Sequence, residues 1–247
     1  MKKLFIICLF CAITPLVFGR EIFISKPGDK EVKSCQAVQI ANTWFLTAAH
    51  CVTDICNDTC KIEMQIYDDG IIETSQKNVY WPNEWRSNSS YDIALINFQN
   101  KEIAKGFKEL QIIIIDNSVK FDEPKIIDRE LEVRYNFGGT FSGILSRYDV
   151  FYGPKSKIIF TKDLGLFHGL SGAGVFTNRG ELIAITSAVA GRGNNAHFSV
   201  FSVFDDKVES FLKQKIPTLY FKHLNSKDFR DVDNSGKEIL ISLDNNK

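Results

Sequence analysis

The chain has 247 residues, which is enough for one large all-β domain or two small domains with an ample core. Its 30 basic residues balance its 30 acidic residues, so the charge argues against a nucleic-acid-binding surface and against a polybasic membrane patch. The share of hydrophobic residues, 44%, is ordinary for a folded globular protein, so function has to be inferred from motifs.

The N-terminus predicts a secretory signal peptide over residues 1–19. Lys2 and Lys3 precede an apolar run from Leu4 to Val17, and small residues at Val17 and Gly19 fit cleavage after Gly19. An uncleaved anchor is the alternative, but the run is short for a membrane span. We therefore expect an exported protein, secreted or periplasmic, that has no membrane contact after cleavage.

Four cysteines remain in the mature chain, namely Cys35, Cys51, Cys56 and Cys60. In an oxidising compartment they favour two disulfides, for which three pairings are possible. A zinc cluster formed by His50 with Cys51, Cys56 and Cys60 is the alternative, and export argues against it.

Short runs of β-branched and aromatic residues follow one another from about Glu21 to Val203, with Gly, Asn and Pro between them. This spacing predicts the strands of β-barrels or sandwiches. The clearest runs cover residues 37–48, 61–68, 92–98, 110–116, 131–137, 156–161, 180–189 and 197–204.

One segment, residues 205–216, has the pattern of a helix. Asp205 or Asp206 can cap its start, and Pro217 stops it. Its apolar face consists of Val208, Phe211 and Leu212. The residues 218–247 beyond it are polar apart from "EILISL" and are expected to form a peripheral, partly ordered tail, to which no chemistry can be assigned.

Two polar residues adjoin apolar strands. His50 follows the strand of "WFLTAAHC", and histidine is the commonest general base in enzymes, although a lone histidine at a strand end is usually structural. Asp92 begins the apolar run "DIALINF", where a turn aspartate that caps a loop is the alternative. Neither residue indicates catalysis by itself.

A serine lies in the glycine-rich stretch "HGLSGAGV". Gly169, Gly172 and Gly174 surround Ser171 and permit backbone conformations that are closed to other residues. Such a loop can direct consecutive N–H groups at one point, as an oxyanion requires, although a plain turn is the simpler reading. The order histidine, aspartate, serine, each at the end of a β-run, is the triad order of chymotrypsin.

These motifs resemble the trypsin/chymotrypsin-like serine proteases over most of residues 21–212. "LTAAHC" and "DIALI" are nearly identical to the family's histidine and aspartate motifs, and "GLSGAGV" is a variant of its Gly-Asp-Ser-Gly-Gly-Pro motif. "ITSAV" is similar to the strand that pairs with substrate, and "SVFSVFDDKVESFL" to the last strand and helix. Cys35, sixteen residues before Cys51, matches the disulfide of the histidine loop, which leaves Cys56 to pair with Cys60.

The resemblance implies an all-β fold of two six-stranded antiparallel β-barrels with a C-terminal helix and a short extra tail. The peptidase domain would span residues 20–216, with the boundary between barrels near residues 100–120, and residues 217–247 would form an extension. In this scheme Ser171 is the nucleophile, His50 the general base and Asp92 the residue that orients it. The N–H groups of Gly169 and Ser171 would form the oxyanion hole.

The residue before the nucleophile departs from the family pattern. In members made as zymogens an aspartate there pairs with a new N-terminal amine, whereas Leu170 forms no ion pair. The mature start "REIFISKPGDK" also lacks the Ile-Val-Gly-Gly sequence that activation exposes. We therefore predict that no activating cleavage is needed and that Leu170 packs as an apolar plug. A catalytically silent or latent scaffold that acts as a binding or effector protein is the alternative.

The resemblance places Gly165, Leu166, Val189 and Ser199 at the specificity pocket. Because Gly165 replaces the acid that selects Lys or Arg, the pocket is expected to favour an apolar or small residue before the scissile bond. Asp163, His168 and His197 are further residues that could enter it. The expected partner is a protein or peptide substrate, and the triad mechanism requires no metal or organic cofactor; oligomeric state is not predicted.

Overall fold

The computed structural model describes a set of ranges that together hold both sheets and both helices. These are residues 19–28, 30–56, 59–66, 70–85, 91–100, 103, 107, 109–116, 125–127, 131–137, 141–147, 150–153, 158–162, 169–191 and 197–231.

The first sheet has seven antiparallel strands in the order β5-β4-β1-β2-β3-β7-β6. Its strands are β1 (Gly19–Ser25), β2 (Val32–Ala41), β3 (Trp44–Thr47), β4 (Lys61–Ile66), β5 (Gly70–Ser75), β6 (Val79–Tyr80) and β7 (Ala94–Asn97). The histidine motif follows β3 and the aspartate motif leads into β7, and these strands are direct neighbours.

The second sheet has eleven strands, nine of them in the order β11-β10-β14-β15-β16-β13-β12-β9-β18. Its strands are β8 (Gln111–Ile115), β9 (Lys125–Ile127), β10 (Leu131–Phe137), β11 (Phe141–Arg147), β12 (Val150–Gly153), β13 (Ile158–Lys162), β14 (Gly174–Thr177), β15 (Leu182–Gly191), β16 (His197–Val203), β17 (Tyr220–Leu224) and β18 (Phe229–Asp231). Strand β8 lies beside β15 and β17 and is parallel to both.

The all-β prediction is confirmed, with a correction to the strand numbers. Seven and eleven described strands replace the six expected in each half. The excess arises because two- and three-residue strands extend the sheets at their edges and because the chain after the helix adds β17 and β18. Strand β17 also makes the pairing partly parallel, since it covers the edge of β8 that would otherwise leave backbone groups unpaired.

In the described part of the chain, two α-helices accompany the sheets, α1 (Ala49–Thr53) and α2 (Asp206–Lys215), together with short 3-10 helices at Gln76–Asn78 and Ser226–Asp228. The predicted C-terminal helix is α2, and Asp205 caps it by accepting hydrogen bonds from the amides of Lys207 and Val208 at 3.0 and 3.1 Å. Among the described residues, neither helix is long and apolar enough to cross a membrane.

The segment after α2 is integrated into the second sheet. Tyr220–Leu224 pairs with β8 over its whole length, and Phe229–Asp231 pairs with β9. The Lys222 ammonium donates to the buried carboxylate of Glu181 at 2.5 Å. Residues 220–231 are therefore an ordered part of the expected tail, and they lie at edges of the second sheet, a placement that a short polar sequence does not reveal. Residues 232–247 lie outside the described part.

Side chains on the two faces of one strand belong to different hydrophobic clusters, which explains why several strands are apolar on both faces. In β2, Cys35 and Ala37 join a cluster inside the first sheet, whereas Val38 and Ile40 join a second cluster that includes α2. Strand β8 likewise divides its isoleucines between that second cluster and one inside the second sheet. Successive side chains of a strand point to opposite faces, so β2 and β8 each direct one face into the second cluster. This cluster therefore joins the two sheets.

The predicted disulfide pairing is confirmed. Cys35 is bonded to Cys51 and Cys56 to Cys60, so the alternative of a zinc cluster is wrong. All four cysteines are buried, and the first bond ties strand β2 to helix α1.

Removing the disulfide between Cys35 and Cys51 is expected to destabilise the fold by about 3 kcal/mol, because a cross-link lowers the entropy of the unfolded chain most when its loop is long. The residues it joins are 16 apart, against 4 for Cys56 and Cys60. We expect about 2 kcal/mol for the shorter loop by the same relation. Urea unfolding of the two double alanine variants measures both costs. An equal or reversed order would contradict the entropic account.

Candidate active site

His50 is the second residue of the short helix α1, directly beyond the end of β3. The Lys33 ammonium donates to the His50 carbonyl at 2.7 Å, which ties the helix to β2, and it also lies 3.5 Å from the exposed Asp54 carboxylate. The imidazole keeps 17% of its surface exposed. The main chain of His50 is thus held firmly while its ring reaches the surface.

Asp92 accepts hydrogen bonds from three donors and is 1% exposed. The His50 amide donates to Oδ1 at 2.8 Å, and Nδ1 of the His50 ring lies 2.6 Å from Oδ2. The Ser187 hydroxyl donates to the same Oδ2 at 2.5 Å. The structure therefore brings two of the three predicted triad residues into direct contact.

The environment of Asp92 acts on its pKa in opposite directions. Burial raises the pKa, but the hydrogen bond and charge of His50 together with the Ser187 hydroxyl outweigh it and hold the pKa below its ordinary value. An ionised carboxylate only accepts hydrogen bonds, so Nδ1 of His50 carries the proton. The other ring nitrogen, Nε2, is then free to act as a base.

Sequence reasoning missed Ser187 as a partner of Asp92. The residue lies in β15, within the stretch "ITSAV" that had been linked only to substrate pairing. The pairing of β15 with β16 shifts register between Thr186 and Ala188, so Ser187 occupies a β-bulge. A bulge redirects a side chain out of the regular alternation, which no periodicity in the sequence reveals.

Backbone hydrogen bonds hold the loop of Ser171 on both sides. The Gln36 amide donates to the Ser171 carbonyl, and the Gly172 amide donates to the Thr186 carbonyl, each at 2.7 Å. Gly169 and Gly172 have φ angles of 98° and 88°, which side chains rarely adopt. The predicted need for glycine at these two positions is thus visible in the backbone.

A disulfide sulfur lies between the serine loop and His50. Sγ of Cys51 is 3.9 Å from Nε2 of His50 and 3.9 Å from the Ser171 carbonyl oxygen. Between the described side chains of Ser171 and His50 themselves, no hydrogen bond is formed. In enzymes without bound substrate such catalytic hydrogen bonds are often long and tighten only in the complex.

Leu170 is completely buried, as expected of an apolar plug. It belongs to the hydrophobic cluster inside the second sheet, which also includes Val133, Ala173 and Val175. The side chain that precedes the serine is therefore anchored by packing, where a zymogen-type member of the family would carry a charge.

The predicted specificity residues are described only in part. Gly165, Leu166, Asp163 and His168 lie outside the described residues. Val189 and Ser199 are directly opposite each other on β15 and β16, and Ser199 is 2% exposed. His197 pairs with Gly191 at the end of the same ladder.

Among the described residues, one group has the donor atoms for a metal ion. It comprises Asp206, Glu209 and His223, whose ligand atoms lie within 4.8 Å of one another. Glu209 already forms an ion pair with Lys213 at 2.6 Å, and its other carboxylate oxygen lies 3.4 Å from Nε2 of His223. These charges are satisfied within the chain, and the group belongs to α2 and β17, apart from the triad elements.

The comparisons with known proteins agree with the motifs. A sequence model of the family Trypsin matches residues 22–115, a range that contains His50 and Asp92. A search of curated proteins found no sequence match.

Solved structures extend the likeness across most of the chain. A protease called Anisep from Arthrobacter nicotinovorans is 17% identical, with a TM-score of 0.57 over 83% of this chain and 98% of its own. A thermostable serine protease from an extremophilic microorganism is 14% identical, with a TM-score of 0.60 over 83% and 99%. A scabies mite inactivated protease paralogue is 20% identical, with a TM-score of 0.53 over 81% and 94%. The resemblance to the chymotrypsin-like serine proteases is thereby confirmed at the level of family motif and fold.

Proposed function

We propose that this chain, which has the fold of the trypsin-like serine proteases and matches their family model over residues 22–115, is an exported serine endopeptidase. It would hydrolyse peptide bonds through His50, Asp92 and Ser171. The observation that carries the proposal is the pair of hydrogen bonds from the main chain and ring of His50 to the buried Asp92. A merely structural histidine has no need of a buried ionised partner on both its backbone and its ring.

The proposed mechanism follows from the tautomer that Asp92 selects. As substrate binds, Nε2 of His50 accepts the proton of the Ser171 hydroxyl while Oγ attacks the scissile carbonyl carbon. Asp92 stabilises the resulting imidazolium, which returns the proton to the leaving amine as the C–N bond breaks. Water then attacks the acyl-enzyme with the same base, releasing the acid and regenerating Ser171.

The oxyanion of each tetrahedral intermediate would bind the amides of Gly169 and Ser171. Gly169 lies in the positive φ region, which allows the loop to present consecutive N–H groups to one point. Loss of one such donor typically costs roughly 3–4 kcal/mol of transition-state stabilisation.

The enzyme would need no activating cleavage. Leu170 fills the apolar space under the serine without an ionic partner. Cleavage after Gly19 would leave an amine at Arg20, which pairs with Ala37 inside β1 and β2. To reach the second sheet that amine would have to unpair β1, so the first sheet itself opposes a zymogen-type switch.

The remaining features of the proposal concern location, domains and specificity. Two disulfides favour an oxidising compartment, so the protein is secreted or periplasmic after loss of residues 1–19. The peptidase domain spans residues 20–216, and residues 217–247 form an extension. A neutral pocket that includes Val189 and Ser199 favours a small or apolar residue before the scissile bond.

A silent scaffold that binds other molecules is the second candidate. The replacement of the usual aspartate by Leu170 favours it, because the ion pair that shapes the oxyanion loop in zymogen-type members is missing. One solved structure of similar fold is described as an inactivated protease paralogue, which illustrates that the scaffold can persist without catalysis.

A fluorophosphonate probe distinguishes the two candidates, because it reacts only with an activated serine. We expect one adduct by intact mass on the mature protein and none on the Ser171→Ala variant. Ser210→Ala, which removes an exposed hydroxyl bonded to the Asp206 carbonyl, serves as the matched control and keeps the adduct. A folded wild-type protein without any adduct would instead favour the silent scaffold.

A further inference from the structure

Gln36 is completely buried in the middle of β2. Its side-chain amide donates from Nε2 to the Asn136 carbonyl at 2.7 Å, and its Oε1 accepts from the Asn136 amide at 3.0 Å. The side chain thus makes to β10 both hydrogen bonds that a neighbouring strand would make. One residue thereby joins the first sheet to the second.

The main chain of Gln36 holds the serine loop. Its amide donates to the Ser171 carbonyl, and its carbonyl accepts from the Thr47 hydroxyl, both at 2.7 Å. The pairing of β2 with β3 begins at Val38 and Leu46, so Ser171 occupies the position beside Gln36 that a longer β3 would have filled. Gln36 therefore binds the carbonyl of the proposed nucleophile through its main chain and binds β10 through its side chain.

The contact between Gln36 and the loop leaves no spare room. A Cβ atom added to Gly172 would lie 2.0 Å from the Gln36 carbonyl oxygen. Small movements of β2 at this point are therefore transmitted directly to the residue that follows Ser171.

We propose that Gln36 is a positioning residue that keeps the serine loop in its reactive conformation by tying it to both sheets. Its catalytic consequence rests on the proposed endopeptidase function, whereas its effect on the loop does not. The Leu170 side chain supplies apolar packing but no hydrogen bond, so the orientation of the loop depends on polar contacts. Gln36 forms four hydrogen bonds, of which one is to the loop at Ser171, two are to Asn136 and one is to Thr47.

Gln36 also supports the serine loop indirectly, through strands β10 and β14. Strand β10 pairs with β14, the strand that directly follows the serine loop, with Arg134 opposite Gly174. If the Gln36 side-chain amide is removed, the buried backbone of Asn136 loses two hydrogen bonds, and such losses are costly in a buried environment. The end of β10 then shifts or admits water, and the loop loses support from Gln36 and from β14 together.

The test compares Gln36→Met, which keeps the length of the side chain but removes its amide, with Asn78→Leu. Asn78 is also a buried amide with both groups bonded, to Thr74 at 2.9 Å and to Gln99 at 3.0 Å, but it lies at the β6 end of the first sheet. Both variants lose comparable hydrogen bonds, so a general loss of stability affects them alike.

Hydrogen exchange measured by mass spectrometry reports on the loop without requiring activity. In Gln36→Met we expect peptides that contain residues 170–173 to exchange at least about tenfold faster, while peptides from β4 are unchanged, because local opening is governed by local contacts. The matched variant should leave residues 170–173 at the wild-type rate. Equal exchange of these residues in wild type and Gln36→Met would overturn the proposal.

Adduct formation with a fluorophosphonate gives the catalytic readout. At saturating probe we expect Gln36→Met to react about 10- to 100-fold more slowly, with the half-saturating concentration nearly unchanged, because misorientation affects the chemical step more than binding. If wild type reacts and Gln36→Met reacts as fast, Gln36 is not a positioning residue although the proposed function stands. If wild type does not react, the proposed function fails, and the exchange of residues 170–173 still decides whether Gln36 holds the loop.

Discussion

Replacing Asp92 by asparagine is expected to slow the reaction of Ser171 with a fluorophosphonate about 10⁴-fold, as loss of the triad carboxylate typically does. Asp92 acts only as an acceptor, and its three hydrogen bonds come from the His50 amide, the His50 ring and the Ser187 hydroxyl. An asparagine offers one acceptor oxygen and one donor nitrogen in place of two acceptors. The variant therefore cannot reproduce the arrangement.

The consequence falls on the tautomer of His50. The main-chain N–H of His50 can only donate a hydrogen bond, whereas Nδ1 can also accept one. The asparagine oxygen therefore turns toward the His50 N–H, and its NH₂ group faces Nδ1. Nδ1 then becomes an acceptor and the ring proton moves to Nε2, which no longer accepts the proton of Ser171. The fold remains, because the Ser187 hydroxyl can rotate to accept from the new amide.

The matched control for this prediction is Asp54→Asn. Asp54 follows the same helix as His50 but is 67% exposed, and its carboxylate contacts the Lys33 ammonium and the Thr53 hydroxyl, each at 3.5 Å. Exposed ion pairs contribute little, so labelling should remain within about twofold of wild type. Labelling of Asp92→Asn within tenfold of wild type would show that Asp92 does not select the tautomer.

The same variant predicts how stability depends on pH. Burial raises the pKa of Asp92, but His50 and Ser187 together hold it below the ordinary value of roughly 3.9. The ionised carboxylate thus stabilises the fold at pH values above its unfolded pKa, and this contribution is lost as pH falls through the lower pKa of the folded state. The difference in unfolding free energy between wild type and Asp92→Asn should therefore be largest near neutral pH and shrink below about pH 4.

His50, Asp92 and Ser171 could be singled out from the sequence because each lies in a short motif where strand, turn and glycine signals agree. His50 follows an apolar strand, and Ser171 lies among glycines whose positive φ angles the structure bears out. The cap of α2 by Asp205 was equally local. Signals of this kind depend on neighbouring residues, so they can be recognised in a sequence whose tertiary fold is unknown.

The supports of the site could not be predicted in the same way. Gln36 is one of several polar residues in β2, and its role depends on Asn136, a hundred residues later. Ser187 acts through a bulge, and β17 depends on an edge that exists only once β8 is in place. Each of these features arises from long-range pairing, for which a single sequence holds no periodic sign.

Replacing Gly172 by alanine is expected to abolish labelling of Ser171 and to destabilise the fold by roughly 2–5 kcal/mol, from a strained backbone and an overpacked contact. Gly172 has a φ angle of 88°, and its added Cβ would lie 2.0 Å from the Gln36 carbonyl oxygen and 2.5 Å from the Thr47 hydroxyl. The carbonyl belongs to a paired strand, so the loop must move instead.

Movement of that loop breaks the contacts on either side of the nucleophile, from Gln36 to Ser171 and from Gly172 to Thr186. Gly180→Ala separates the cost of backbone strain from the cost of the overpacked contact, because Gly180 has a φ angle of 80° but nothing within 4 Å of its added Cβ. This control should lose roughly 1–2 kcal/mol from backbone strain and retain full labelling. Urea unfolding and adduct rates of both variants give the comparison. If the two alanines cost the same and both label, the serine loop adapts freely to β2, and its reactive geometry is set elsewhere in the second sheet.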